Sequence, residues 1–164
     1  MFEVQKMTGD ESTRDRLLIS QVQHLIDGER DPIANLANVS ALLWMCLEDV
    51  NWVGFYLRHG DELVLGPFQG KPACVRIGWG KGVCGTAAAT ASVQRVTDVS
   101  QFSGHIACDA DSRSEVVVPL IVGDRVIGVL DIDSPSVGRF SHADERTFQA
   151  VVDALLAGTD FVSA

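Results

Sequence analysis

Apolar and polar positions recur with two different periods along this chain, and the change of period divides it. Residues 12–26 and then the stretch after Pro32 repeat near helical spacing. In the second stretch Ile33, Leu36, Val39, Leu42, Leu43 and Met45 follow Asp31 and Pro32, which suit an N-cap and a first helical position. From Asn51 the period shortens towards two. Residues 52–57 and 62–65 flank a glycine-containing loop and predict a hairpin. A short strand over residues 74–77 leads into the glycine-rich stretch 78–85. A helix of small residues over 86–91 and a strand over 93–99 follow.

A polar loop, residues 100–114, precedes a second hairpin. Residues 115–122 and 125–133 meet at Gly123-Asp124, a pair suited to a type II′ turn. The last helix opens at Ser141 with Asp144 three residues on, resembling a capping box, and Phe148, Val151, Val152 and Leu155 give it one apolar stripe. Consecutive hairpins require antiparallel pairing. The element order α-α-β-β-β-α-β-loop-β-β-α therefore predicts an α+β fold, with helices packed on a central antiparallel sheet of about six strands.

Composition narrows the setting. The chain has 164 residues, enough for a sizeable core, and no repeat, low-complexity run or linker divides it, so residues 1–164 read as a single domain. A net charge of −9 argues against nucleic acid as a partner, because phosphate contact needs a basic surface. No segment approaches the roughly 20 apolar residues of a membrane span, and the start lacks the apolar core of a secretion signal. A cytoplasmic location is expected. There the four cysteines read as free, catalytic or metal-bound rather than as a disulfide frame.

Each cysteine has a chemical and a plain reading. Cys108 sits among Ser, Gly, His and Asp in the polar loop, where no apolar face demands a small hydrophobe, and His105 three residues earlier could support a thiolate. An exposed loop cysteine is the plain reading. Cys84 lies in the glycine turn at the start of a helix. A helix N-terminus can lower a thiol pKa there, or the residue can simply pack beside Ala87 and Ala88. Cys74 reads either way, and Cys46 on an apolar helical run reads as core.

Two other patterns lack the context their chemistry needs. Gly80, Gly82 and Gly85 match a dinucleotide fingerprint, but the neighbouring strands form hairpins rather than a parallel βαβ unit, so that reading is rejected. A zinc site drawn from Cys74, Cys84, His105 and Cys108 lacks the paired spacing of structural zinc modules, and neither metal nor cofactor is expected.

Asp131 and Asp133 alternate onto one strand face. Two like charges there suit a proton donor or a cation site, unless the strand end is simply solvated. Glu115, entering its own strand, offers a third acid. Trp52 and Tyr56 also share one strand face, where plain core packing would account for both.

Taken together, residues 51–57, 65–74, 80–87, 104–109 and 128–135 resemble the GAF-domain free methionine-R-sulfoxide reductases over about residues 14–156. One departure is Phe102-Ser103-Gly104, where many members have Phe-Pro-Gly. The resemblance implies a GAF fold and reduction of free L-methionine-(R)-sulfoxide to methionine. It makes Cys108 the nucleophile and Glu115, Asp131 and Asp133 the acids that hold the sulfoxide oxygen and the polar end of the substrate. Trp52 and Tyr56 become an aromatic wall for the S-methyl group.

It further implies that Cys108 becomes a sulfenic acid, that Cys84 resolves it to a disulfide after movement of the glycine turn, and that Cys74 is auxiliary. Thioredoxin would reduce the product. Members are commonly homodimers, although no patch in the sequence shows this independently. The competing class is a non-catalytic GAF sensor for a small molecule, against which the chain shows no output domain or signalling linker.

Overall fold

A computed structural model describes residues 2–161. Met1 and residues 162–164, at the ends of the expected 1–164 domain, lie outside the described residues. Helices α1 (Glu11–Leu25) and α2 (Pro32–Cys46) come first. Asp31 caps α2, its side chain accepting from the Ala34 amide with Pro32 in the first turn, as the sequence predicts. The strands are β1 (Trp52–His59), β2 (Glu62–Gly70), β3 (Arg76–Gly78), β4 (Gln94–Val96), β5 (Ser114–Val122) and β6 (Arg125–Ser134). Helix α3 (Gly82–Thr90) lies between β3 and β4, and α4 (His142–Gly158) closes the fold. Ser141 and Asp144 form the expected capping box, each side chain accepting from the other's backbone amide.

The six strands form one antiparallel sheet in the order β3-β2-β1-β6-β5-β4, so the α+β expectation holds. Gly123 turns the β5–β6 hairpin at φ 63, and Val122 pairs with Arg125 across it.

Four elements differ from expectation in their bounds. Strand β2 runs on to Gly70 instead of ending at Leu65. Tyr56 pairs with Leu65 and Gly54 with Phe68, so Gly66 and Pro67 together stand opposite Phe55. A proline at a bulge does not break the ladder. Helix α3 begins at Gly82, which places Cys84 inside its first turn. Strand β3 begins at Arg76, so Cys74 belongs to the preceding link, and β4 is a three-residue strand ending at Val96.

Strand alternation sorts the core onto two faces. Val53, Phe55, Val116, Val118, Leu130 and Ile132 pack beneath α1, α2 and α4. Trp52, Tyr56, Val117 and Val129 point to the opposite face, where α3 covers only part of the sheet with Val83, Cys84, Ala87 and Ala88. Helix α3 approaches closely because Gly85 has no side chain: a Cβ there would stand 2.4 Å from the Gly78 carbonyl oxygen. That approach seats Cys84 against the acidic end of the sheet.

Candidate active site

On the α3 face the register brings the acids together. Glu115 pairs with Asp133, Asp131 with Val117, and Trp52 with Asp133. Glu115 and Asp131 are each 6% exposed. With Asp133, Cys84, His105 and Cys108 they line a cavity of about 30 Å³, which has room for only one or two waters. Strand alternation puts Asp131 and Asp133 on one face, and the cross-strand pairing adds Glu115.

Their charges are set by burial. Loss of solvent and the neighbouring Asp131 and Asp133 charges push the Glu115 carboxyl well above its ordinary range. Burial does the same to Asp133, with Asp131 and Asp109 adding to it. Asp131 rises to about 6: burial raises it, while hydrogen bonds from Cys84 and Glu115 hold it down. Burial favours the protonated form of Glu115 and Asp133, and Asp131, at about 6, is mostly ionised at neutral pH.

A carboxyl whose pKa is higher folded than unfolded binds more protons in the native state between the two values. Stability is therefore greatest below the unfolded pKa of 3.8 and falls as pH rises through about 6. From pH 4 to pH 8, Asp131 is expected to remove about 2 kcal/mol of stability, and Asp131→Asn should flatten that slope. Urea midpoints across the interval test this; a wild-type midpoint that climbs with pH would contradict it.

Cys84 does not occupy an activating position. Its thiol is 3% exposed and donates to Asp131 Oδ2 at 3.2 Å, with Glu115 Oε1 at 3.9 Å. Burial and the adjacent Asp131 and Glu115 charges push this thiol well up, opposite to the lowering that a helix N-terminus could give. His105 turns its Nε2 to within 3.7 Å of Glu115 Oε2, and burial lowers its pKa, so it stands as a neutral partner of that acid.

Cys108 is bonded to Cys74, with Cα atoms 5.3 Å apart, whereas Cys84 and Cys46 are free. The expected Cys84–Cys108 pairing is corrected accordingly. The reason is geometric: the Cys84 sulfur is committed to Asp131 behind the cavity, and Cys74 lies on the link that meets the Cys108 loop. Cys46 packs in the helical core as expected, within reach of the Gln21 amide.

Trp52 and Tyr56 stack at 5.8 Å between centroids, but neither lines the closed cavity. They anchor the link instead. Trp52 Nε1 donates to the Lys71 carbonyl at 3.1 Å, and the Tyr56 hydroxyl donates to the Cys74 carbonyl at 2.9 Å. Sequence reasoning missed the polar tether on the loop's other side. Asn51 Nδ2 donates to Asp109 Oδ2 and Ser112 Oγ, while the Lys71 ammonium pairs with Asp109 and Asp111. None of these residues falls in a periodic pattern; only the adjacency of Asp109 to Cys108 hinted at a role.

The disulfide joins residues 34 positions apart. Its reduction is expected to lower stability by about 3–4 kcal/mol through the unfolded chain's regained freedom. Urea unfolding with and without a phosphine reductant measures the change, and equal midpoints would contradict it.

The GAF domain model matches residues 22–156. The chain is 58% identical over 140 residues to free methionine-R-sulfoxide reductase of Escherichia coli (strain K12), covering 84% of this chain and 85% of that one. It is 46% identical over 144 residues to the enzyme of the same name from Saccharomyces cerevisiae (strain ATCC 204508 / S288c), covering 83% and 79%. The solved structure of free methionine-R-sulfoxide reductase from Neisseria meningitidis in complex with its substrate superposes with a TM-score of 0.92 at 41% identity, covering 96% of this chain and 95% of that one. The chain belongs to the GAF-domain family of free methionine-R-sulfoxide reductases.

Proposed function

We propose that this chain reduces free methionine-R-sulfoxide to methionine, with Cys108 as nucleophile and Cys74 as the resolving thiol. One observation carries the assignment of roles: the Cys74–Cys108 disulfide lies beside a buried cavity lined by three carboxyl groups with raised proton affinity. Sulfoxide reduction needs a thiolate at sulfur and a proton at oxygen, and these groups can supply both.

In the reduced protein the Cys108 thiolate attacks the sulfoxide sulfur. The S–O bond breaks as Glu115 or Asp133 protonates the oxygen, which ends on Cys108 as a sulfenic acid, and methionine leaves. The Cys74 thiol then attacks the Cys108 sulfur, expelling the oxygen as water and forming the disulfide. Thioredoxin's dithiol returns both cysteines to thiols by exchange. A cytosolic location fits this reading because the reductant is kept reduced there.

Asp131 stays ionised and suits the substrate ammonium. Trp52, paired with Asp133 in the sheet, faces the S-methyl group once the Cys108 loop withdraws, with Tyr56 stacked behind it. That withdrawal is required, because a cavity of about 30 Å³ cannot hold an amino-acid ligand. Cys84 positions Asp131 and Glu115 through its thiol rather than resolving the intermediate.

The test supplies the reduced protein, thioredoxin, its reductase and NADPH with each epimer of free methionine sulfoxide and with peptide-bound sulfoxide. NADPH should be consumed with the free R epimer and not with the others. Equal consumption with the S epimer, or none with the R, would overturn the proposal. A non-catalytic sensor would leave the number of titratable thiols unchanged on adding the R epimer, whereas the enzyme loses two per chain.

A further inference from the structure

Cys84 Sγ, Asp131 Oδ2 and Glu115 Oε1 form a compact donor set whose thiol transfers neither electron nor proton in the proposed sulfoxide reduction. The sulfur lies 3.2 Å from the Asp131 oxygen and 3.9 Å from the Glu115 oxygen. One donor atom from each of the three residues can be chosen so that all lie within 4.8 Å of one another, and all three residues are buried. A tetrahedral zinc ion with ordinary Zn–S and Zn–O bonds separates its sulfur and oxygen ligands by about 3.6 Å. The two sulfur–oxygen distances bracket that value.

A second observation points to a missing ligand. Asp131 is 6% exposed, yet its Oδ1 has no hydrogen-bond partner among the described residues. A buried carboxylate oxygen left unpaired is costly, and a cation beside it would satisfy it. The cavity has room for an ion and a water but not for an amino acid.

We propose that Cys84, Glu115 and Asp131 form a reversible inhibitory site for a thiophilic divalent cation of the zinc type, with water in the fourth position. A thiolate with two carboxylate oxygens favours zinc over magnesium or calcium, which prefer oxygen-only shells. Binding exchanges the Cys84 S–H proton and the Glu115 carboxyl proton for metal–ligand bonds and releases both to solvent. No electron is transferred. The ion occupies two of the carboxyl groups that the proposed reaction uses, so metal and substrate exclude each other.

The test uses the wild-type chain in its disulfide form, stripped with chelator, so that Cys74 and Cys108 offer no thiolate. Titration with cobalt(II) should give a near-ultraviolet thiolate-to-cobalt charge-transfer band and visible bands of tetrahedral strength. These should saturate at one ion per chain and be displaced by zinc. Cys84→Ser should lose the charge-transfer band, and Asp131→Asn should weaken binding by about a hundredfold, at or above the effect of losing an outer-shell partner.

No charge-transfer band in the wild type at saturating cobalt would overturn the site, and this readout does not depend on any variant folding. A band unchanged in Cys84→Ser would overturn it too. Zinc should also inhibit sulfoxide reduction, with full recovery on adding chelator. If cobalt binds as described but no sulfoxide is reduced, the metal site stands and the reductase reading falls.

Discussion

Cys108→Ser is expected to abolish sulfoxide reduction, with kcat/KM for free methionine-R-sulfoxide falling by on the order of a thousandfold or more. The hydroxyl that replaces the thiol is a far weaker nucleophile at neutral pH and cannot carry the oxygen away as a sulfenic acid. The remaining cysteines are poorly placed to substitute. Cys84 is buried and its thiol is pushed up by burial and the neighbouring acids, and Cys46 lies in the helical core. The variant should keep its fold, since the disulfide it loses is also absent from the reduced wild type. Steady-state rates with thioredoxin and the midpoint under reducing conditions measure both statements. Activity within about tenfold of wild type would remove Cys108 from the nucleophile's role.

The second large effect separates Cys74 from Cys84. Cys74→Ser should release one methionine per chain in a burst and then slow by at least about tenfold with thioredoxin, because the sulfenic acid has no partner thiol. Cys84→Ser should still form the Cys74–Cys108 disulfide on treatment with the R epimer. Its defect should appear instead in KM and in the pH profile, since a shorter, more polar hydroxyl replaces the thiol that donates to the Asp131 carboxylate. Rapid-quench measurement of methionine and peptide mapping of the disulfide distinguish the two variants. A burst in Cys84→Ser combined with unimpaired cycling in Cys74→Ser would reverse the assignment.

Much of the scaffold was legible because its signals are local. Asp31 and Pro32 start α2, Ser141 and Asp144 start α4, and Gly123 turns the β5–β6 hairpin, each through contacts a few residues apart. Strand β2 was read too short because its course beyond Leu65 depends on β1 accepting a bulge opposite Phe55. The three-residue strands β3 and β4 exist only through their pairing partners.

The site followed the same rule. Alternation put Asp131 and Asp133 on one face, but no sequence period reports that Glu115 pairs with Asp133 across two strands. The Cys74–Cys108 pairing is not legible in the sequence because it depends on tertiary placement. Cys84 is held behind the cavity by α3, whose approach relies on Gly85, whereas the Cys74 link is pinned over the sheet by Trp52 and Tyr56. The family resemblance implies that those two aromatics form a substrate wall. In the disulfide form they are buried anchors, and the wall role requires the loop to open.

Such an opening would link redox state to access. The disulfide and the Asn51 and Lys71 tethers hold the Cys108 loop against a cavity too small for substrate. The Lys71–Asp111 pair is exposed on both sides and contributes little, so the covalent bond is the main closure. Oxidised protein should therefore bind methionine weakly, and reduced protein should be the form that admits the sulfoxide.

The most direct measurement is a single-turnover reaction of the fully reduced chain with a limiting amount of free methionine-R-sulfoxide, without thioredoxin, followed by peptide mapping under non-reducing conditions. One methionine should appear for each Cys74–Cys108 disulfide formed, with Cys84 recovered as a free thiol. A disulfide through Cys84, or methionine formed with Cys74 and Cys108 both still reduced, would contradict the account.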